Sequence, residues 1–159
     1  MLINELLNTV WPYEWQNDSV AAFTTPQGHQ GAVVFELYEA ELAGAHVEFS
    51  IDDRYDITGR GNELAVFSTV LKIIREYEVR HDLHVLFMES SEANRTRLYQ
   101  RMAHRLGYHQ VPRAAYQQLL QRLALDGQQG VVADPQGIHP WALIFVHAES
   151  LPQLQELGL

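Results

Sequence analysis

The sequence predicts an α/β (α+β) fold on one mixed sheet, and three observations predict it. Residues 20–51 alternate apolar and polar positions in short runs separated by turn residues, as half-buried strands do. Residues 62–80 run without Gly or Pro and repeat apolar side chains at helical spacing. A short apolar run and a second helical segment follow, and the order strand, helix, strand, helix makes a central βαβα unit whose crossover leaves its strands parallel.

Taken in order, Leu2, Ile3, Leu6, Leu7 and Val10 recur at helical spacing until Pro12, which predicts a short amphipathic helix. Residues 20–25 and 32–41 flank the turn-rich stretch 26–31 and read as a β-hairpin, the start of an antiparallel meander. A third strand begins at His46, where Val47, Phe49 and Ile51 alternate with Glu48 and Ser50; Asp52 and Asp53 mark its turn, and 55–58 continue the sheet. The helix over 62–80 carries a wide apolar arc, from Leu64 and Val66 to Ile74 and Tyr77, and so lies largely buried against the sheet. The run 84–88 is apolar after its first residue and too short for a helix, which suits a central strand covered on both faces, with helices on both sides of the sheet. Ser90 and Ser91 are N-cap candidates for a helix that reaches about Leu106 and stops at Gly107, with Leu98, Met102 and Leu106 as its core stripe. Beyond it the pattern predicts a helix over 113–125, strands over 130–134 and 139–147, and a short C-terminal helix.

At 159 residues the chain has the length of a single domain. Hydrophobic residues at 47% and charged residues at 19% match an ordinary globular composition. The absence of cysteine excludes disulfides, thiolate catalysis and sulfur-ligated zinc. The opening residues lack the pattern of a secretion signal, and no run approaches the ~20 apolar residues of a membrane span, so a cytoplasmic protein without a membrane partner is expected. A formal charge of −9 opposes nonspecific attraction to nucleic acid. Ten Arg and a single lysine, Lys72, carry the positive charge, in groups that chelate carboxylate or phosphate well.

Three places invite chemistry. Gly59, Arg60, Gly61 and Asn62 lie between a predicted strand and the start of the long helix, where close backbone approach and outward N–H groups suit a pyrophosphate; a tight turn that binds nothing uses the same glycines. Tyr99 sits at the edge of the stripe of the second helix, where a tyrosine is either a packed amphipathic residue or a general acid whose hydroxyl reaches a cleft. Arg97, Arg101 and Arg105 stand four residues apart on one helix face, either solvated or turned to a phosphate, an RNA or an acidic partner. The eight histidines show no HExxH or repeated carboxylate spacing, so no metal site is predicted, and no GxSxG supports a serine triad.

Residues 45–108, with their meander, glycine turn into a long helix, buried strand, and second helix bearing Leu98-Tyr99 followed by Gly107-Tyr108, resemble the GCN5-related N-acetyltransferase (GNAT) superfamily. Residues 57–77 together with 94–108 look more closely like the acetyltransferase-like proteins of tailed bacteriophages, which would put the chain in a host cytoplasm. The resemblance implies that Gly59, Arg60, Gly61 and Asn62 hold the pyrophosphate of acetyl-CoA, and that Tyr99 protonates the departing thiolate. A carboxylate such as Glu48, or a water, would then serve as base toward an amine acceptor. Asp56 stands where the family's turn usually carries Gln or Arg, an unfavourable neighbour for phosphate. The second expectation is therefore a non-catalytic protein of the same fold, working through protein contacts or as a homo-oligomer, with the arginine row or Trp11, Trp15 and Trp141 as anchors.

Overall fold

The structure is a computed structural model that describes residues 10–38, 43–52, 63–89, 93–112, 115 and 142–152. Its elements are β1 (Tyr13–Asn17), β2 (Val20–Thr24), β3 (Gln30–Tyr38), β4 (Gly44–Ile51), helix α1 (Glu63–His81), β5 (Val85–Glu89), helix α2 (Ala93–Arg105), β6 (Tyr108–Gln110), β7 (Ala142–His147) and a 3-10 turn over Ala148–Ser150. The strands form a mostly antiparallel seven-stranded sheet in the order β1-β2-β3-β4-β5-β7-β6. The class is mixed α and β, as the sequence predicts. The expected helix before Val10, the strand over 55–58, the strand over 130–134, most of the helix over 113–125 and the C-terminal helix lie outside the described residues.

The described residues fall into two compact units, one drawn from Met1–Phe35 and Val47–Arg80, the other from Glu36–His46 and His81–Leu159. In the first, β1, β2 and β3 form an antiparallel meander, with Tyr13 opposite Phe23 and Val20 opposite Val34. The turn from β1 to β2 is closed by the Asn17 side chain, whose Oδ1 accepts from the Ser19 N–H at 2.8 Å, a local bond that Asn favours in turns. Between β2 and β3 the Thr25 hydroxyl accepts from the His29 N–H at 3.0 Å, and Gly28 takes φ 88°, a conformation natural to glycine. Alternation puts Ala21, Phe23, Val33 and Phe35 inside, where they join Val47 and Phe49. Helix α1 buries Val66, Phe67, Val70, Ile73, Ile74 and Tyr77 in this unit, as its apolar arc predicts. Each such side chain taken fully from water contributes about 1.5–3 kcal/mol. Phe35 and Tyr77 stack at 3.9 Å between ring centroids with 6° between planes.

Strand β1 is absent from the sequence-based elements. Its inward Tyr13 and Trp15 alternate with outward Glu14 and Gln16, but five residues beside Pro12 give too short a pattern to separate from a loop. The third predicted strand starts two residues earlier than expected, at Gly44. Its close is marked by Asp52, which adopts φ 53°.

In the second unit β5 pairs in parallel with β4, Gly44 opposite Val85 and His46 opposite Phe87, which is the predicted outcome of the crossover. On its other edge β5 pairs antiparallel with β7. Val85, Leu86, Phe87 and Met88 are all buried, so the apolar run does mark a strand covered on both faces. A Cβ at Gly44 would stand 2.9 Å from the Phe87 ring, which explains a glycine at that crossing. Helix α2 buries Tyr99, Met102 and Ala103, and Leu106 just after its end is buried as well, whereas the expected Leu98 is only half-buried. Gly107 at φ 86° ends the helix as a left-handed cap and leads directly into β6.

Candidate functional site

The predicted pyrophosphate turn, Gly59, Arg60, Gly61 and Asn62, lies outside the described residues, as do Asp56 and Trp141. What is described is the helix that follows it. Glu63 opens α1, and 19 residues run on to His81 without interruption. The first N–H groups of such a helix have no partner within it and carry partial positive charge, the physical basis of an anion site.

Glu48 is half-buried on β4 in the first unit, between the buried Val47 and Phe49. Tyr99 belongs to the second unit and is only 2% exposed. The burial is that of a packed tyrosine. The described residues thus set the expected base in one unit and the expected acid in the other.

Three polar clusters appear that sequence reasoning did not find. The largest joins β1 to α1. The Glu76 carboxylate accepts from the Tyr13 hydroxyl and, at 3.0 Å, from Trp15 Nε1. Arg80 pairs with it at 3.4 Å and lies over the Trp15 ring at 4.4 Å. Trp15 in turn packs on Phe35 at 5.8 Å and on Tyr77 at 6.2 Å. The hydrogen bond from Tyr13 is the main reason Glu76 is held below the usual carboxylate range. Burial first, and the bond to Glu76 second, push the Tyr13 hydroxyl up to about 12. Through these two hydrogen bonds the Glu76 carboxylate ties β1 to α1, and the cluster works as a latch.

The second cluster brings His84 Nδ1 to 2.6 Å from Ser150 Oγ and His84 Nε2 to 3.5 Å from Asp82 Oδ2. The residue types are those of a serine triad, but Ser150 is 1% exposed and no substrate reaches a hydroxyl so deeply placed. Its neighbours explain it otherwise: the His147 N–H donates to the His84 carbonyl at 2.9 Å, so the pair fastens the chain after β7 to the chain before β5. The third cluster centres on Asp52. Its carboxylate accepts from the Gln30 N–H at 2.8 Å and meets His29 Nδ1 at 2.5 Å, clamping the β2–β3 turn to the end of β4.

An open groove of about 490 Å³ lies on the first unit, lined by residues that include Pro12, Glu14, Gln16, Ala22 and Thr24. Trp11 and Trp15 are half-buried. Trp15 is engaged by the latch, and Trp11 packs against Phe23 at 6.1 Å. Among the described residues no three His, Asp or Glu side chains are placed to hold a metal ion, and no described helix is long and apolar enough to cross a membrane.

No protein-family model matches the chain, and no curated protein is significantly similar to it.

Proposed function

We propose that the chain is an acyl-CoA-binding protein of the N-acetyltransferase-like kind, acting in the cytoplasm and, if phage-encoded, in that of the host. The observation that carries this reading is the β4–α1–β5 unit. Two strands pair in parallel through a helix that starts at Glu63, the residue directly after Gly59, Arg60, Gly61 and Asn62. A pyrophosphate seated on that turn would meet the open N–H groups and positive end of α1. Acetyl-CoA supplies the activated acyl group, and the chain's residues supply position and proton movement. The resemblance gives Glu48 on β4, or a water, as the base that takes the proton from an amine acceptor.

A second reading keeps the fold without turnover, and specific observations favour it. Tyr99 is 2% exposed, which closes its hydroxyl to solvent. Two carboxylates flank residues 59–62 in sequence, Asp56 before them and Glu63 after them, an unfavourable charge balance for an anionic ligand.

The test is the thermal midpoint of the full chain with acetyl-CoA, and separately with CoA, at millimolar concentration. A ligand at 100 times its dissociation constant stabilises the native state by about 2.7 kcal/mol. The acyl-CoA reading predicts a clear upward shift that disappears in Gly61→Glu. No shift with either ligand removes the cofactor and leaves the non-catalytic reading.

A further inference from the structure

Charge is segregated along this chain. Residues 93–125 hold six Arg and no Asp or Glu, a net of +6, whereas the remainder holds five Lys and Arg against all twenty carboxylates, a net of −15. Helix α2 is the described part of the basic segment. It buries Tyr99, Met102 and Ala103 and leaves Arg97, Gln100, Arg101, His104 and Arg105 exposed. The last two have a structural reason to be there, since basic residues in a final turn complement the helix dipole. Arg97 and Arg101 lie earlier in the helix and gain nothing from that effect. Neither takes part in an ion pair among the described residues.

We propose that the outer face of α2, through Arg97 and Arg101, is a docking surface for an acidic polypeptide segment of a partner protein. The two guanidinium groups arise four residues apart, about 6 Å along the helix, which matches carboxylates spaced four residues apart on a partner helix. Arginine suits this role because its planar fork takes a carboxylate through two parallel hydrogen bonds. A nucleic acid fits less well. The large hydrophobic side chains exposed among the described residues are Val10, Val34 and Val79, none of them an aromatic on which a base would stack. A duplex also carries a charge about every 1.7 Å, and the chain outside residues 93–125 has a net charge of −15, which opposes a long polyanion. This inference is independent of the acyl-CoA reading and holds for an active or an inactive protein.

The experiment titrates the full chain into a fluorescent helical peptide of about 16 residues with Glu at every fourth position, at ~50 and ~200 mM salt. Saturable binding, weaker at the higher salt, is expected, with a loss of about tenfold or more in Arg97→Glu/Arg101→Glu. Arg97→Gln/Arg101→Gln should lose most of the affinity and Arg97→Lys/Arg101→Lys should keep part of it, which separates loss of charge from loss of fold. Absence of binding, or binding indifferent to these substitutions, overturns the proposal. So does tighter binding of an oligonucleotide of similar length, which makes the surface a nucleic-acid site. Sedimentation showing self-association that Arg97→Glu/Arg101→Glu abolishes also overturns it, by making the occupant a second copy.

Discussion

Removing the Glu76 carboxylate should destabilise the first unit by an amount that the geometry bounds. Glu76→Ala takes the acceptor from the Tyr13 hydroxyl and from Trp15 Nε1 and leaves Arg80 over the Trp15 ring without its counter-charge. A hydrogen bond to a charged group is worth about 1.5–3 kcal/mol when sheltered. The Glu76 side chain is 39% exposed, so water re-satisfies part of what is lost, and the Arg80 pair, exposed on both sides, adds only about 0.3–0.5 kcal/mol. A net loss of about 2 kcal/mol follows, equivalent to a fall of ~4–8 °C in midpoint for a chain of this length. The assay is thermal unfolding of wild type and Glu76→Ala from acid to alkaline pH. Because Glu76 is held below its ordinary value, its contribution is present above the usual carboxylate range and disappears as pH falls through the lowered value, so the gap between the proteins should close in acid. Tyr13 behaves oppositely. Its hydroxyl is raised from 10.0 to about 12, so its contribution is whole below pH 10 and fades as pH rises toward 12, an effect Tyr13→Phe should abolish. An unchanged midpoint for Glu76→Ala at neutral pH, or a gap that persists undiminished in acid, would refute the latch.

Other substitutions test other parts of the account. A Cβ at Gly31 would stand 2.2 Å from the Phe23 ring, so Gly31→Ala should lower the urea midpoint by the equivalent of about 1–3 kcal/mol, and Gly31→Ala/Phe23→Leu should recover part of it. Asp52 combines φ 53° with two acceptor contacts, so stability by chemical denaturation should fall in the order wild type, Asp52→Asn, Asp52→Gly, Asp52→Ala. The asparagine keeps one acceptor and tolerates the backbone, the glycine only tolerates the backbone, and the alanine does neither. Tyr99→Ala should cost about 3–5 kcal/mol as a cavity, while Tyr99→Phe keeps the packing; if the chain transfers an acyl group, thiol release by Tyr99→Phe should drop about 10²–10⁴-fold. That release is readable without background, since the protein has no cysteine.

The elements legible in the sequence were those with a long or unambiguous period. Helix α1 has 19 residues and an apolar arc that repeats for five turns, and the hairpin has two alternating strands around a Gly-rich turn. The buried run at Val85–Met88 was legible because it is too short for a helix of its own and apolar throughout, as a strand covered on both faces is. Strand β1, of five residues beside Pro12, is too short to show its own pattern, and β6, of three residues, owes its existence to β7, far away in sequence. The latch was invisible for the same reason. Tyr13 and Glu76 are 63 positions apart, and a glutamate on a helix next to Arg and Tyr reads locally as one more solvated charge. Of the candidate site, Tyr99 shows why position alone is ambiguous: a tyrosine at the edge of an apolar stripe is drawn inward by its ring, and only the fold decides how far.

The central claim, that the turn before α1 holds the phosphates of an acyl-CoA, is tested most directly by amide hydrogen exchange of the full chain with and without acetyl-CoA. A ligand seated there should slow exchange at residues 59–66, where its phosphates would engage the turn and the first N–H groups of the helix, and Gly61→Glu should erase the effect. Unchanged exchange across 59–66 under saturating acetyl-CoA, or protection confined to other segments, would contradict it.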